Sequence, residues 1–174
     1  IKALATPEDV NELTLSSSAL SFFTDFKKTK PLVIESNIAA VDTMQLMKKA
    51  HVRLKLVINQ NDELLGIVSA DDLIERKILQ KLEKGDKRTD LFITEFMTPK
   101  DKLKVLEYSA VEKSNINQVI QALKSSGQQH CLVVDSKADF VRGLFSVSDI
   151  SRKLKVDIDV QNQPSFLKLA VELD

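Results

Sequence analysis

The two stretches that decide the fold are GIVSADDLI at 66–74 and GLFSVSDIS at 143–151. Each consists of a glycine, two apolar residues, a serine, two variable residues, an aspartate and an aliphatic residue. The second stretch begins 77 positions after the first. A phrase that returns with the same residue types at the same spacing indicates an internal duplication.

The duplication extends upstream of both phrases. The apolar runs Leu54–Ile58 and Cys131–Val134 are each followed by a polar loop and a second apolar run, which predicts two β-hairpins. Further upstream, AAVDTMQLMKKAHV and NINQVIQALKSSGQ place apolar residues at i, i+4 and i+7, which predicts one helix in each half. Gly127 suits the left-handed residue that ends the second helix, and His51 occupies that place in the first.

Each half is therefore predicted to contain a helix, two strands and a second helix, with one more strand ahead of them in KPLVIE (30–35) and LKVLEY (103–108). An apolar stripe from Leu73 to Leu82 predicts a helix that ends at Gly85, and DISRKLKV (149–156) predicts a shorter one. A half of roughly 60 residues buries little surface alone. We therefore expect the two halves to pack sheet to sheet around a shared core.

Composition limits the classes of function. The chain has 174 residues, of which 43% are hydrophobic and 29% charged, as in ordinary soluble domains. Lysine plus arginine (25) equals aspartate plus glutamate (25), which argues against a nucleic-acid partner. The longest run without a charge, 13–24, is too short to span a membrane. Cys131 is the single cysteine, so no intrachain disulfide forms and a cytoplasmic location is expected.

The arrangement resembles a tandem pair of cystathionine-β-synthase (CBS) domains, also called a Bateman module. That family carries the motif Gly-apolar-apolar-Thr/Ser-x-x-Asp-apolar, which both phrases match. EFMTPKD at 95–101 resembles the Met-Thr-Pro opening of many CBS domains, and FTDFKKTKPLVI at 23–34 is a looser version. The resemblance covers about Ser18 to Leu154. It implies a mixed α/β (α+β) fold of two repeats with pseudo-two-fold symmetry, each a small sheet with helices.

The resemblance also implies a division of the chain. An N-terminal arm (1–17) precedes the first CBS repeat (18–74), and a linker helix and loop (75–94) leads to the second repeat (95–154). A C-terminal tail (155–174) follows, and its segment SFLKLAVELD fits an amphipathic helix.

The serine and aspartate of each phrase allow two interpretations. Ser-x-x-Asp ahead of an apolar helical stripe is a capping box, in which the acid reaches back to the helix start. The same carboxylate can accept two hydrogen bonds from a ribose diol, while the glycine permits close approach. In the CBS family the matching residues hold the ribose of adenosine-containing ligands in the cleft between the repeats. The resemblance implies that role for Ser69, Asp72, Ser146 and Asp149; the residue types alone leave simple capping open.

The phrases depart from the family pattern in charge. CBS sensors of adenine nucleotides often carry a basic residue between the Ser/Thr and the Asp, but here Ala70 and Asp71 stand in the first phrase. Asp71 would repel a phosphate, so the second phrase is the better predicted site. Cations in neighbouring segments that could meet a phosphate are Arg53, Lys55, His130, Arg142 and Arg152. The ligands implied are AMP, ADP, ATP and S-adenosylmethionine.

Other chemistry is absent from the sequence. It contains no Cys-x-x-Cys or His-x-x-x-His pair, no Gly-x-Ser-x-Gly elbow and no phosphate-binding loop, so we expect neither a metal nor catalysis. The prediction is a regulatory module that binds an adenosine-containing ligand. The resemblance further implies a homodimer without membrane or nucleic-acid partners. The alternative is a ligand-free CBS scaffold for dimerisation or partner binding.

Overall fold

A computed structural model describes residues 12–160, which form the predicted mixed α/β fold. It contains two four-stranded sheets, each with one strand more than the three predicted for each half. The helices in this range are α1 (Ala40–Lys49), α2 (Glu75–Lys81), α3 (Tyr108–Val111), α4 (Ile116–Ser126) and α5 (Val147–Leu154). The strands are β1 (Thr24–Asp25), β2 (Val33–Glu35), β3 (Leu54–Ile58), β4 (Leu64–Ser69), β5 (Thr98–Pro99), β6 (Leu106–Glu107), β7 (His130–Asp135) and β8 (Phe140–Ser146). The predicted tail helix at 165–174 and most of the N-terminal arm lie outside the described residues.

The chain divides into two compact units. The first-phrase unit contains residues 25–105, and the second-phrase unit joins the residues before 25 to those after 105. The short strand that opens each predicted repeat is thereby exchanged. β5, within EFMTPKD, belongs to the sheet of the first phrase, and β1 joins the sheet of the second.

The first-phrase unit has the strand order β2-β3-β4-β5. β3 and β4 form the predicted antiparallel hairpin, with Leu54 opposite Ser69. β2 runs parallel to β3, and β5 pairs antiparallel with β4 so that Pro99 lies opposite Gly66. Serine 69 therefore ends a central strand of the sheet.

The second-phrase unit repeats this order as β6-β7-β8-β1. β7 and β8 form the second predicted hairpin, with His130 opposite Ser146. β6 runs parallel to β7, and Leu106 lies opposite Val133. The duplication seen in the sequence is thus a duplication of strand topology.

The helix ends follow their sequence signals in three cases. Asn115 caps α4, and its amide oxygen accepts a hydrogen bond from the Gln118 N–H at 3.0 Å. Gly127 follows α4 in the left-handed conformation (φ 67°), as predicted. After α1, His51 adopts the same conformation (φ 53°).

The predicted helix from Leu73 to Gly85 is wrong in its extent. Residues Ala70–Leu73 form a 3₁₀ turn, and Ile74 is extended (φ −69°, ψ 148°) before α2 begins at Glu75. α2 then ends at Lys81. The apolar periodicity runs across the break because Leu73 and Ile78 are buried on either side of it.

Each unit has a buried apolar cluster. In the first-phrase unit it includes Met47 of α1, Val57 and Val68 of the hairpin, and Leu73. The corresponding residues of the second-phrase unit include Leu123, Val133, Phe145 and Ile150. In each repeat, the end of the strand that carries the phrase therefore packs on a buried apolar core formed by the helix and the hairpin.

Candidate functional site

The glycine that opens each phrase lies under a strand of the chain itself. A Cβ at Gly66 would come within 2.3 Å of the Thr98 carbonyl oxygen. One at Gly143 would come within 2.1 Å of the Thr24 carbonyl oxygen and 2.4 Å of the Phe23 ring. The close approach predicted for a ligand is thus made at both positions by the backbone of the edge strands.

The serine and aspartate lie at the same strand-to-helix junction in each unit. We call Ser69–Asp72 the first junction and Ser146–Asp149 the second junction. In the first, the residue after the serine donates its N–H to the Arg53 carbonyl at 2.9 Å, and in the second the matching bond to the Gln129 carbonyl is also 2.9 Å. Both junctions are therefore tied to the segment that leads into the hairpin.

The first junction is a closed capping box. The Asp72 carboxylate accepts hydrogen bonds from the Ser69 N–H (2.8 Å) and the Ser69 hydroxyl (2.7 Å). The Ser69 hydroxyl in turn accepts from the Asp72 N–H at 3.3 Å. Lys77 Nζ lies 3.7 Å from the other carboxylate oxygen. The carboxylate is turned onto its own backbone, which is the capping interpretation of the phrase.

The second junction is open. α5 begins directly at Val147, and the Ser146 side chain makes no capping hydrogen bond. Its hydroxyl lies instead 2.9 Å from the Ser148 hydroxyl. The Asp149 carboxylate accepts from Arg152 at 3.2 Å, and its side chain is 38% exposed. Among residues 12–160, no backbone N–H donates to Asp149, so the same phrase leaves this carboxylate accessible.

The cations predicted near the first junction are directed elsewhere. Arg53 lies 3.6 Å from Asp71, the additional acid of the first phrase. Both side chains are about two-thirds exposed (65% and 63%). Lys55 donates to the Val33 carbonyl at 3.3 Å. Both of these cations therefore already have partners, and neither is directed at a phosphate bound at the first junction.

The cations predicted near the second junction differ in availability. The Arg142 guanidinium lies 4.2 Å from the centre of the Tyr108 ring, and His130 lies in the β-ladder opposite Ser146. Arg152 is 75% exposed and contacts Asp149 itself. Arg152 is thus the predicted cation that shares the second junction with the carboxylate.

Gln128 precedes the residue that is bound to the second junction, and no sequence pattern selects it. Its Oε1 atom is buried and has no hydrogen-bond partner within the part of the chain that is described. The next residue supplies the carbonyl that binds the second junction. A buried acceptor without a donor is uncommon in proteins and suits a ligand N–H.

Burial limits the reactivity of the single cysteine. Cys131 is buried, and burial raises the pKa of its thiol to about 11, so the nucleophilic thiolate is scarce at neutral pH. In residues 12–160 no three histidine, cysteine, aspartate or glutamate side chains are grouped closely enough to bind a metal ion. No helix in the same range combines the length and apolarity needed to cross a bilayer.

One segment of the chain matches a known family model. Residues 24–78 match the family model of the CBS domain. None of the curated protein sequences is similar enough to this chain to serve as a relative.

Comparison of structures extends the likeness to the second repeat. An uncharacterised conserved protein from Pyrococcus horikoshii shares 18% identity over 84% of this chain and 98% of its own, with a TM-score of 0.62. The CBS-pair protein CBSX2 from Arabidopsis thaliana shares 17% identity over 91% of this chain and 99% of its own, with a TM-score of 0.55.

A second structure of a protein named CBSX2, in complex with AMP, shares 22% identity over 78% of this chain and 94% of its own, with a TM-score of 0.56. At these identities the likeness concerns the fold. The predicted CBS-pair fold is confirmed by the family match and these structures together.

Proposed function

We propose that this chain, which contains a CBS domain and has the fold of CBS-pair proteins, is a non-enzymatic regulatory module that binds an adenosine-containing ligand at its second junction. The proposal depends on one observation: the phrase is repeated, but only its first copy uses the aspartate to cap a helix. A carboxylate that performs no capping yet stands at the same junction is available for another partner.

The second junction offers suitable chemistry for a ribose and its substituents. The two hydroxyls of a ribose diol donate to the Asp149 carboxylate, and the Ser146 hydroxyl, which is buried except for 7%, adds a donor or acceptor. Gln128 Oε1 suits the exocyclic amino group of adenine, because that group is a donor. Arg152 leaves Asp149 and turns to a phosphate or carboxylate of the ligand.

The first junction is assigned a weaker role. For Ser69 and Asp72 to bind a ribose, the two hydrogen bonds to the Asp72 carboxylate would have to open first. Asp71 adds a negative charge at the same place. We propose that this junction binds the ligand second, or requires its box to open.

The AMP complex of CBSX2 supports an adenine nucleotide as the ligand, since it shows that a related fold accommodates one. AMP, ADP, ATP and S-adenosylmethionine share the adenosine that the second junction would bind. Ligand binding regulates by shifting the population between two conformations of the module, and the shift is limited by the difference in affinity.

A thermal-shift screen of these four ligands against the intact chain tests the proposal. A ligand at 100 times its dissociation constant should add about 2.7 kcal/mol to the free energy of unfolding. Asp149→Asn should markedly reduce the shift, and Asp72→Asn is its matched control. No shift with any of the four would favour the ligand-free scaffold, and turnover of one of them would indicate an enzyme.

We further propose that the module is a homodimer. Its support is a pair of apolar side chains exposed at repeat-related positions, Leu79 (53%) and Val156 (48%), which lie 77 residues apart. Light scattering after size exclusion at tens of micromolar should report twice the chain mass, and Leu79→Lys should reduce it. We also propose a cytoplasmic setting, which suits a chain whose single cysteine, Cys131, is buried.

A further inference from the structure

His51 has a backbone conformation that its twin position assigns to glycine. Its φ is 53°, in the left-handed region that L-residues with a side chain adopt at a cost. The residue 76 positions later is Gly127, which closes the matching helix with φ 67°. Glycine at position 51 would remove the backbone strain, and the second repeat has glycine at the equivalent position. The presence of histidine here therefore indicates a use for its imidazole.

The imidazole lines a pocket of about 530 Å³ in the first-phrase unit. The pocket is bounded by the end of α1, the segment before β3, the 3₁₀ turn and the start of α2, and its lining contains neither Ser69 nor Asp72. Its floor is apolar: its lining includes the partly buried Val52 and Ile74, which is 42% exposed, above the buried core residues Met47 and Leu73. A pocket of this volume with an apolar floor is typical of small-molecule sites.

The rim of the pocket favours an anion. Glu75 is the acid in its lining, and Arg88 occupies that carboxylate at 2.5 Å. Arg53 lies against Asp71. For Lys48 and His51, no carboxylate partner occurs among residues 12–160, so one ammonium and one imidazole remain beside the apolar floor.

We propose that this pocket binds a small amphipathic carboxylate, with the apolar part on Val52 and Ile74 and the carboxylate at Lys48 and His51. The pocket adjoins the first junction, because Ala70 is in its lining, but it contains neither Ser69 nor Asp72 and no residue of the second junction, where the adenosine proposal places its ligand. The second repeat does not reproduce the rim: the positions that match His51, Arg53 and Glu75 hold Gly127, Gln129 and Arg152.

The experiment is an NMR titration of the intact, ¹⁵N-labelled chain with 4-phenylbutyrate. Its neutral and cationic counterparts, 4-phenylbutan-1-ol and 4-phenylbutylamine, separate apolar from charge recognition. We expect saturable shifts of the Val52 and Ala70 amides, which belong to lining residues. The alcohol should bind roughly three- to fivefold more weakly than the acid, on the scale of a partly exposed ion pair. The amine should bind more weakly still.

Two variants test whether His51 and Lys48 bind the carboxylate. His51→Gly should weaken 4-phenylbutyrate binding while leaving the melting temperature unchanged or raised, because glycine relieves the left-handed backbone. Lys48→Gln should weaken the acid but not the alcohol. Lys124→Gln, the matched change in the second repeat, is the control and should bind as the unaltered chain does.

Three results would overturn the proposal. The first is equal binding of acid, alcohol and amine. The second is an unchanged affinity in His51→Gly. The third is a shift of Val52 and Ala70 that follows protein concentration instead of probe concentration, since a second copy of the chain would then fill the pocket. Addition of AMP tests the other proposal in a separate titration without 4-phenylbutyrate, and its first shifts are expected at Ser146 and Asp149.

Discussion

Replacing each phrase aspartate by asparagine should separate capping from ligand binding. Asp72→Asn and Asp149→Asn make the same change at repeat-related positions, keep the side-chain shape and remove one negative charge. The structure assigns the two carboxylates different partners: the backbone and hydroxyl of Ser69 for the first, and the exposed Arg152 for the second.

The expected losses of stability follow from those partners. A hydrogen bond to a charged group contributes more than a neutral one, by about 1 kcal/mol. Asp72 accepts two such bonds, so its neutralisation should cost about 1–2 kcal/mol, including the contact with Lys77. Asp149 loses one contact to an arginine that is 75% exposed, an interaction of about 0.2–0.5 kcal/mol.

Urea and thermal unfolding of the two variants measure this difference. For a chain of this size, 1 kcal/mol corresponds to a change in melting temperature of about 2–4 °C. Asp72→Asn should therefore melt roughly 2–8 °C below the unaltered chain and Asp149→Asn within about 2 °C of it.

Affinity should change in the opposite order. Calorimetric titration with the nucleotide found in the screen should show a loss of roughly ten- to a hundredfold for Asp149→Asn, as expected when a charged acceptor is removed. Asp72→Asn should change affinity less. The reasoning is refuted if Asp149→Asn destabilises the fold as much as Asp72→Asn, or if it binds the nucleotide as well as the unaltered chain.

Three further predictions concern positions outside the carboxylates. Gly66→Ala should lower the free energy of unfolding by about 1–3 kcal/mol, because its Cβ would meet a backbone carbonyl at 2.3 Å; an unchanged urea midpoint would contradict the edge-strand contact. Gln128→Met should leave stability unchanged or raised, since it removes a buried acceptor that has no partner among residues 12–160, and should weaken nucleotide binding in the same titration. The Cys131 thiol should resist a disulfide reagent at pH 8 unless urea is added, because its folded pKa of about 11 lies above the ordinary value of 9.0. The same raised pKa links stability to pH, because the thiol ionises more readily in the unfolded chain. The protonated Cys131 therefore makes a contribution to the free energy of unfolding that is fully present below pH 9 and should be lost as the pH rises through about 11.

The sequence alone determined the duplication and most of its elements. The two hairpins, the helices α1 and α4 and the end of α4 at Gly127 all follow from residues within a few positions of one another. Local hydrogen bonds and apolar periodicity are properties of a short segment, so they can be read without knowing what lies next to it.

The positions of the edge strands required the tertiary structure. β1 and β5 are two residues long, which is too short for any periodic pattern, and their places over Gly143 and Gly66 depend on contacts distant in sequence. The glycines could be recognised as sites of close approach, but the chain that approaches them could not be identified.

The sequence predicted which residues could form the candidate site. The hydrogen-bond partners of its two aspartates depend on the fold. Ser69 with Asp72 and Ser146 with Asp149 are the same local phrase, and the sequence allowed capping or binding at both. In the structure the first phrase enters a 3₁₀ turn that closes the box, and the second enters α5 directly and leaves its carboxylate exposed. Each hydrogen bond of such a motif contributes only about 0.5–3 kcal/mol net. The packing after each phrase, with a break at Ile74 in one repeat and a continuous helix in the other, is therefore enough to select between them.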